Sequence, residues 1–482
     1  MHNPIRTSLA MAAAATLTGS LLVLTAGTAT AAGTGLQGDF NGDGYRDLAV
    51  GVPNGDDGLT DAGWVSVVYG TSAGLDPAKH KVLGQSGSTP GSPESGDLFG
   101  AELSVADFDG DGYSDLAVGV PGENIGPNSD QGAVTLFWGG KSGLGTSATT
   151  VKDPVAKDGN EFGGALTTGD FDGDGHTDLA AYNGLLSTVS VIHGPFTRTG
   201  SSGTVSTVTL PATSAYADGF LSSGNISGDA ADDLVVQFRA WRTGETHGWY
   251  FRGSATGGGL VQEAVLPGGE TSATGDVDGN GYADIAVADS HETSAVGGKV
   301  TVLYGAAGGL GTTRAAGALT QNSTGVPGSS EKGDAFGASL SLGDVTGDGY
   351  ADLAVGSPGE DVGSVVDAGT VVLLRGSSKG VATTGNQAFT QNSTGIPGTA
   401  EKKDRFGSVV LLSDINDNGR TDLAVSAVGE APPGTIDPAG AVWRLRGSSS
   451  GLTSTGSLSF GSDNVGRAGV DPGEEFGQSL GG

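Results

Sequence analysis

Apolar residues along this chain come in short runs separated by glycine-rich polar stretches, and no segment keeps a 3.6-residue apolar period over several turns. One kind of run is nearly continuous: DLAVGV at 47–52 and 115–120, DLAVGS at 352–357, DLAVSA at 422–427. The other follows about 20 to 30 positions later and alternates. Its copies are GWVSVVYG (63–70), GAVTLFWG (132–139), STVSVIHG (187–194), GWYFRG (248–253), GKVTVLYG (298–305), GTVVLLRG (369–376) and GAVWRLRG (440–447). Both kinds read as strands, and the glycines between them as tight turns.

The strands belong to a repeat. An acidic segment begins at Asp39 (DFNGDGYRDLAV), Asp107 (DFDGDGYSDLAV), Asp170 (DFDGDGHTDLAA), Asn225 (NISGDAADDLVV), Asp276 (DVDGNGYADIAV), Asp344 (DVTGDGYADLAV) and Asp414 (DINDNGRTDLAV). Phe-Gly precedes most copies, at Phe99-Gly100, Phe162-Gly163, Phe336-Gly337 and Phe406-Gly407. Each unit reads strand, acidic loop, strand, long loop, strand, turn, strand. Four strands in that length form one blade of a β-propeller, and seven loops predict seven blades. The segment EEFGQSLGG (474–482) matches the Phe-Gly strand that precedes a loop, while the stretch before Asp39 has none. The C-terminal strand is therefore expected to complete the blade of Asp39 and close the ring.

The loops carry the chemistry. In D-F-D-G-D-G-Y-S-D, Asp107, Asp109 and Asp111 stand at positions 1, 3 and 5, the Tyr113 carbonyl at 7 and Asp115 at 9. These are hard oxygen donors around glycine turns, a set suited to Ca²⁺ more than to Mg²⁺. The same positions hold Asp39, Asn41, Asp43, Tyr45 and Asp47; Asp170, Asp172, Asp174, His176 and Asp178; Asp276, Asp278, Asn280, Tyr282 and Asp284. They are thinner in Asp344, Thr346, Asp348, Tyr350 and Asp352, and in Asp414, Asn416, Asn418, Arg420 and Asp422. The loop of Asn225, Ser227, Asp229 and Asp233 lacks a turn glycine at Ala230 and is the poorest site. Four to six Ca²⁺ ions are expected. No helical calcium hand fits, because a strand follows each loop and no Glu stands at position 12.

Composition narrows the partners. The formal charge is −31, with 54 acidic against 23 basic residues, which opposes nucleic-acid or anionic-membrane binding. Cysteine is absent, so disulfides, thiolate catalysis and Cys-held metals are excluded. Residues 1–31 read as an export signal, with Arg6 ahead of an apolar stretch from Leu9 to Ala26 and Ala29-Thr30-Ala31 before a cut at Ala32. An all-β, secreted, monomeric propeller over residues 32–482 follows, with calcium in place of disulfides as its staple.

Phe-Gly, the D-x-D/N-G-D-G-x-x-D-L loop and the following Val-Gly-Val-Pro (50–53, 118–121) or Val-Gly-Ser-Pro (355–358) resemble FG-GAP repeats, the propeller of integrin α-chains and of related bacterial secreted proteins. The resemblance spans about residues 36–482. It implies calcium between the first and second strands of a blade, and ligand contact on the opposite face. Phe220-Leu221 in place of Phe-Gly, and GGETSAT before Asp276, depart from the pattern. Integrin legs and membrane helix have no counterpart.

Catalytic readings find little support. G-x-S-x-G at 70–74, 376–380 and 447–451 falls in a repeated turn, and His80, His176, His193, His247 and His291 share no acid–base or metal spacing. Arg239, Trp241, Arg242 and His247 form the best non-repeating patch, a candidate contact for a glycan or acidic partner. The sequence thus predicts a calcium-binding adhesion module for an extracellular protein or glycan. The alternative is an extracellular hydrolase or lyase of polysaccharide or phosphoester on the same ring.

Overall fold

Strands two and three of blades one, two and six are buried along their whole length, which is why their sequences are so continuously apolar. The computed structural model describes residues 35–86, 89–200, 202–211, 217–240, 243–255, 259–291, 295–311, 317–432, 438–467 and 473–482. The export signal lies outside them. Among the described residues are seven four-stranded antiparallel sheets, a two-stranded ribbon at Gly305–Ala306 and Gly309–Leu310, and one 3-10 turn at Ser462–Val465.

Blade two shows the plan: Leu103–Ala106, Asp115–Val120, Ala133–Phe137 and Ala148–Lys152, each paired with the next. Opposite faces of one sheet serve two neighbours. Ala49, Val65 and Val67 of blade one pack with Leu116 and Val118 of blade two. Leu48, Val50 and Trp64 of the same sheet pack with Ala424 and Val442 of blade seven. The core is therefore a cycle of sandwiched sheets, and alternation within a strand selects the neighbour.

The C-terminal strand Ser479–Gly481 pairs with Leu48–Val52 in the first blade, with Ala49 opposite Gly481, Val50 opposite Leu480 and Gly51 opposite Ser479. The seven-bladed ring expected from the repeats is closed as expected. Phe476, fully buried, stands 5.8 Å from Trp64 and 5.9 Å from Phe460. One local expectation changes. Phe-Gly is a strand residue only in blade seven; Phe99 and Phe162 lie ahead of the first strand, bridged to Gly63 and Gly132 of the preceding blade. Their rings are anchors between blades.

Candidate cation sites between the first and second strands

In blades two to seven the acidic loop joins the first strand to the second, and in blade one it leads into the second, while the turn after the third strand returns to the same end of the sheet. A fixed clasp results. The last carboxylate of the loop accepts, through Oδ1, the amide of the glycine that follows strand three. The pairs are Asp47–Gly70 (2.8 Å), Asp115–Gly139 (2.7 Å), Asp178–Gly194 (2.9 Å), Asp233–Gly253 (2.9 Å), Asp284–Gly305 (2.8 Å), Asp352–Gly376 (2.9 Å) and Asp422–Gly447 (2.9 Å). Position nine thus has a structural duty in every blade, including blade four, where the other ligands are poor. The first carboxylate shapes the turn: Asp107 accepts the amides of Gly110, Asp111 and Gly112 at 2.8, 3.1 and 2.8 Å.

The turns gather the predicted side chains. Oxygens of Asp107, Asp109 and Asp115 lie within 4.8 Å of one another, as do those of Asp276, Asp278 and Asp284, and of Asp170, Asp172 and Asp174. In blade one, Asp39 accepts the amides of Gly42 and Gly44, and Asn41 that of Asp43, the same turn with one amide in place of a carboxylate. The position-seven amides of Tyr45, Tyr113, His176, Tyr282 and Tyr350 donate to the side chain at position five.

Close carboxylates in a buried turn resist ionisation. Burial, opposed by the glycine amides and reinforced by neighbouring carboxylates, pushes Asp47 and Asp115 up to about 8 and Asp284 up to about 7. Asp109 Oδ1 is buried and has no hydrogen-bond partner. An inward oxygen left bare among acidic groups is what a hard cation would satisfy, so the donor set of blade two fits one.

In blades three, four and six the residue before the clasp glycine reaches into the loop, a role the sequence did not disclose. That position holds Tyr69, Trp138, His193, Arg252, Tyr304, Arg375 and Arg446 in blade order. His193 is the clearest omission. Its Nδ1 lies 3.0 Å from Asp178 Oδ2 and 3.3 Å from Asp172 Oδ2, and Nε2 is 3.0 Å from Ser206 Oγ. Its place was hidden because it follows the loop by a whole hairpin; the recurring glycine after it is the signal that could have located it. Arg375 reaches Asp352 and Asp348 at 3.2 and 3.7 Å, and Arg252 reaches Asp229 at 3.0 Å. In blade seven the Asn416 amide donates to Asp422 at 2.9 Å, and Arg46 of blade one lies 4.0 Å from Asp414 Oδ2 while donating to the Asp414 carbonyl at 2.9 Å. Position seven there is Arg420, whose Nε donates to the Thr346 carbonyl at 3.2 Å.

The predicted ligand patch is only partly brought together. Arg239 lies 3.6 Å from buried Glu270 of blade five, and exposed His247 stacks on Trp249 at 5.8 Å. Trp241 and Arg242 fall outside the described residues. The same opposite face holds a constellation missed in the sequence. Gln85, Gln321 and Gln391 each donate to a carboxylate, Glu123, Glu360 and Glu430, beside Asp97, Asp334 and Asp404.

The FG-GAP repeat family matches residues 31–68, 99–137, 162–206, 268–303 and 336–374, which takes in the loops from Asp39, Asp107, Asp170, Asp276 and Asp344. The phosphatidylinositol-glycan-specific phospholipase D of Mus musculus is 37% identical over 142 residues, 29% of this chain and 17% of that protein. Integrin alpha-6 of Gallus gallus is 30% identical over 159 residues, 32% of this chain and 13% of that protein. The alignments therefore span less than a fifth of these curated relatives. A solved protein from Lactobacillus plantarum aligns with TM-score 0.47 and 11% identity, over 92% of this chain and 99% of that one.

Proposed function

Because the chain is an FG-GAP repeat β-propeller, we propose that it is an exported, calcium-stiffened binding module whose ligand is an extracellular protein or glycan. The observation that carries the calcium part is the buried, unpartnered Asp109 Oδ1 among the oxygens of Asp107 and Asp115. Calcium would replace mutual carboxylate repulsion with coordination, and several such loops around one ring would fix its shape. Export rests on residues 1–31, and the likeness to integrins supports adhesion as the class of function. The face opposite the loops is the proposed ligand face, with Arg239, Trp241, Arg242 and His247 as its proposed contacts. Among the described residues no helix is long and apolar enough to cross a membrane.

A second reading has its own observation: the likeness to a phospholipase D supports hydrolysis of a phosphoester, or of polysaccharide, on the same ring. One experiment separates the two. The purified chain is screened on glycan and extracellular-protein arrays and on phosphodiester and polysaccharide substrates, each in calcium and in EDTA. The binding reading expects saturable, calcium-dependent capture without turnover. Turnover that Arg239→Ala or His247→Ala leaves untouched, with no capture, would replace it with the enzyme.

A further inference from the structure

We propose that Arg375 closes the loop of blade six as a built-in cation, so that this loop holds no metal, and that Arg252 does the same in blade four. The inference rests on the calcium reading for the other loops. Its starting point is the clasp between the last loop carboxylate and the glycine after strand three. In blades three, four and six the side chain before that glycine, His193, Arg252 or Arg375, reaches the loop carboxylates. Where this residue is Tyr69, Trp138 or Tyr304, it brings no charge.

In blade six it is a guanidinium, and it lands on two of the predicted metal ligands. Arg375 Nε donates to Asp352 Oδ1 at 3.2 Å, and Nη2 is 3.7 Å from Asp348 Oδ2. The Arg375 side chain is only 16% exposed. A calcium ion would need oxygens of these same two carboxylates at about 2.3–2.6 Å, and the guanidinium already engages both. The third ligand position has also changed. Thr346 brings no carboxylate, and its hydroxyl donates to Asp344 Oδ1 at 3.4 Å. The loop therefore gains an internal positive charge and loses a negative one.

Blade four repeats the substitution. Arg252 places Nη2 and Nε 3.0 and 3.2 Å from Asp229 Oδ2. The residue at position one is Asn225, whose amide donates to the Asp229 carbonyl at 2.6 Å.

Arg198 marks the contrast. It arrives from the turn of blade three and holds Asp109 Oδ2 and Asp111 Oδ2 of blade two, each at 2.6 Å. It is 48% exposed, and it leaves Asp109 Oδ1 on the inner side unpartnered. It is therefore an outer contact, and blade two keeps its inward donor.

The test counts ions. Chelator-stripped protein is reloaded with calcium, bound ions per chain are measured by elemental analysis, and melting is followed in EDTA. The set is the parent, Asp111→Ala, Asp348→Ala, Arg375→Lys, Arg375→Tyr, and Arg375→Tyr with Thr346→Asp. Asp111→Ala should lose one ion and Asp348→Ala none. Arg375→Lys should keep the parent count. Arg375→Tyr should melt several degrees lower in EDTA, and the double variant should bind one extra ion and melt higher in calcium. An ion lost in Asp348→Ala overturns the proposal, and needs no folded Arg375 variant to be seen. A double variant that gains no ion also overturns it. If the parent and all variants bind none, the calcium reading fails. The role of Arg375 then rests on the EDTA melt, where an unchanged midpoint for Arg375→Tyr overturns it.

Discussion

The ring of Tyr350 lies across Gly279 of the neighbouring blade: a β-carbon at Gly279 would stand 2.7 Å from Tyr350 Cε1. Tyr113 covers Gly42 and Tyr282 covers Gly228 in the same way. In these three pairs the side chain at position seven roofs the position-four glycine of the loop before it, whereas Gly110 has open space around it. The paired loops are mechanically linked.

Gly279→Ala should then suffer twice, from the overlap with Tyr350 and from φ of +69°. Overpacking costs about 1–3 kcal/mol and a left-handed alanine about 1–2 kcal/mol. Gly281→Ala, at φ +87° with open space around it, meets only the second. Denaturant melts of both variants should show Gly279→Ala the weaker, with part of its loss recovered by Tyr350→Ala. Equal losses at the two glycines would dispose of the interlock.

Ring closure predicts a global effect from a terminal cut. Deleting 474–482 removes the strand paired with Leu48–Val52 and the buried ring of Phe476, and exposes the edge of blade one. Burial of Phe476 alone contributes about 3 kcal/mol or more. The truncated chain should melt many degrees lower and lose amide protection in blades one and seven together. Melting within a degree or two of the parent would mean that the first blade stands without its C-terminal strand.

A pH effect follows from the face opposite the loops. Burial pushes Glu430 up to about 7, with Asp404 adding repulsion and the Gln391 amide opposing it. Asp404 itself is raised to about 6, mainly by burial. Glu123 and Asp97 stand likewise at about 7 and about 6. Folded carboxyls that hold protons more tightly than the unfolded chain favour folding below about pH 4, and that benefit is lost as pH rises through 6 and 7. Glu430→Gln cannot ionise. It should stabilise by on the order of 1–2 kcal/mol at pH 8 and change little at pH 4. Thermal melts of parent and variant across that range, in constant calcium, test the sign; a gain confined to low pH would refute it.

The repeat, the seven sheets and the acidic turns were legible because each is written locally. Asp107, Asp109 and Asp111 stand two residues apart, and the alternation at 132–139 announces its strand. What escaped was long-range. Arg375 meets Asp352 across 23 residues, and Gln391 meets Glu430 across 39. Spacing along the chain does not show that the turn after strand three returns to the first loop. The thin loop at Asp344 was visible as Thr346, but the charge that compensates it was not, since Arg375 reads as one more residue of an alternating strand. Phe99 was misplaced for a similar reason. Its partner is Gly63 of the preceding blade, so its local sequence reads as a strand while its bonds make it a bridge between blades.

Calcium should stabilise the protein, and two aspartates should separate its sites. In blade two Asp111 belongs to a loop with an unpartnered inward oxygen, and burial raises its pKa, with Asp109 and Asp107 adding repulsion. In blade four Asp229 already has the Arg252 guanidinium at 3.0 Å, and its pKa is lowered. A ligand that binds only the folded state contributes about 2.7 kcal/mol at a hundred times its dissociation constant. Asp111→Ala should forfeit most of that for one ion in calcium, and lose little in EDTA, where relief of carboxylate repulsion offsets the lost surface pair with Arg198. Asp229→Ala should lose less than about 1 kcal/mol, the worth of an exposed ion pair, and lose it equally in both media. Magnesium should stabilise less than calcium, because it sheds water reluctantly and prefers a tighter octahedron. Melting of the parent and both variants in EDTA, calcium and magnesium gives the full comparison. A parent that melts alike in EDTA and calcium, and carries no calcium on elemental analysis, would remove the metal from the account of how this ring is held.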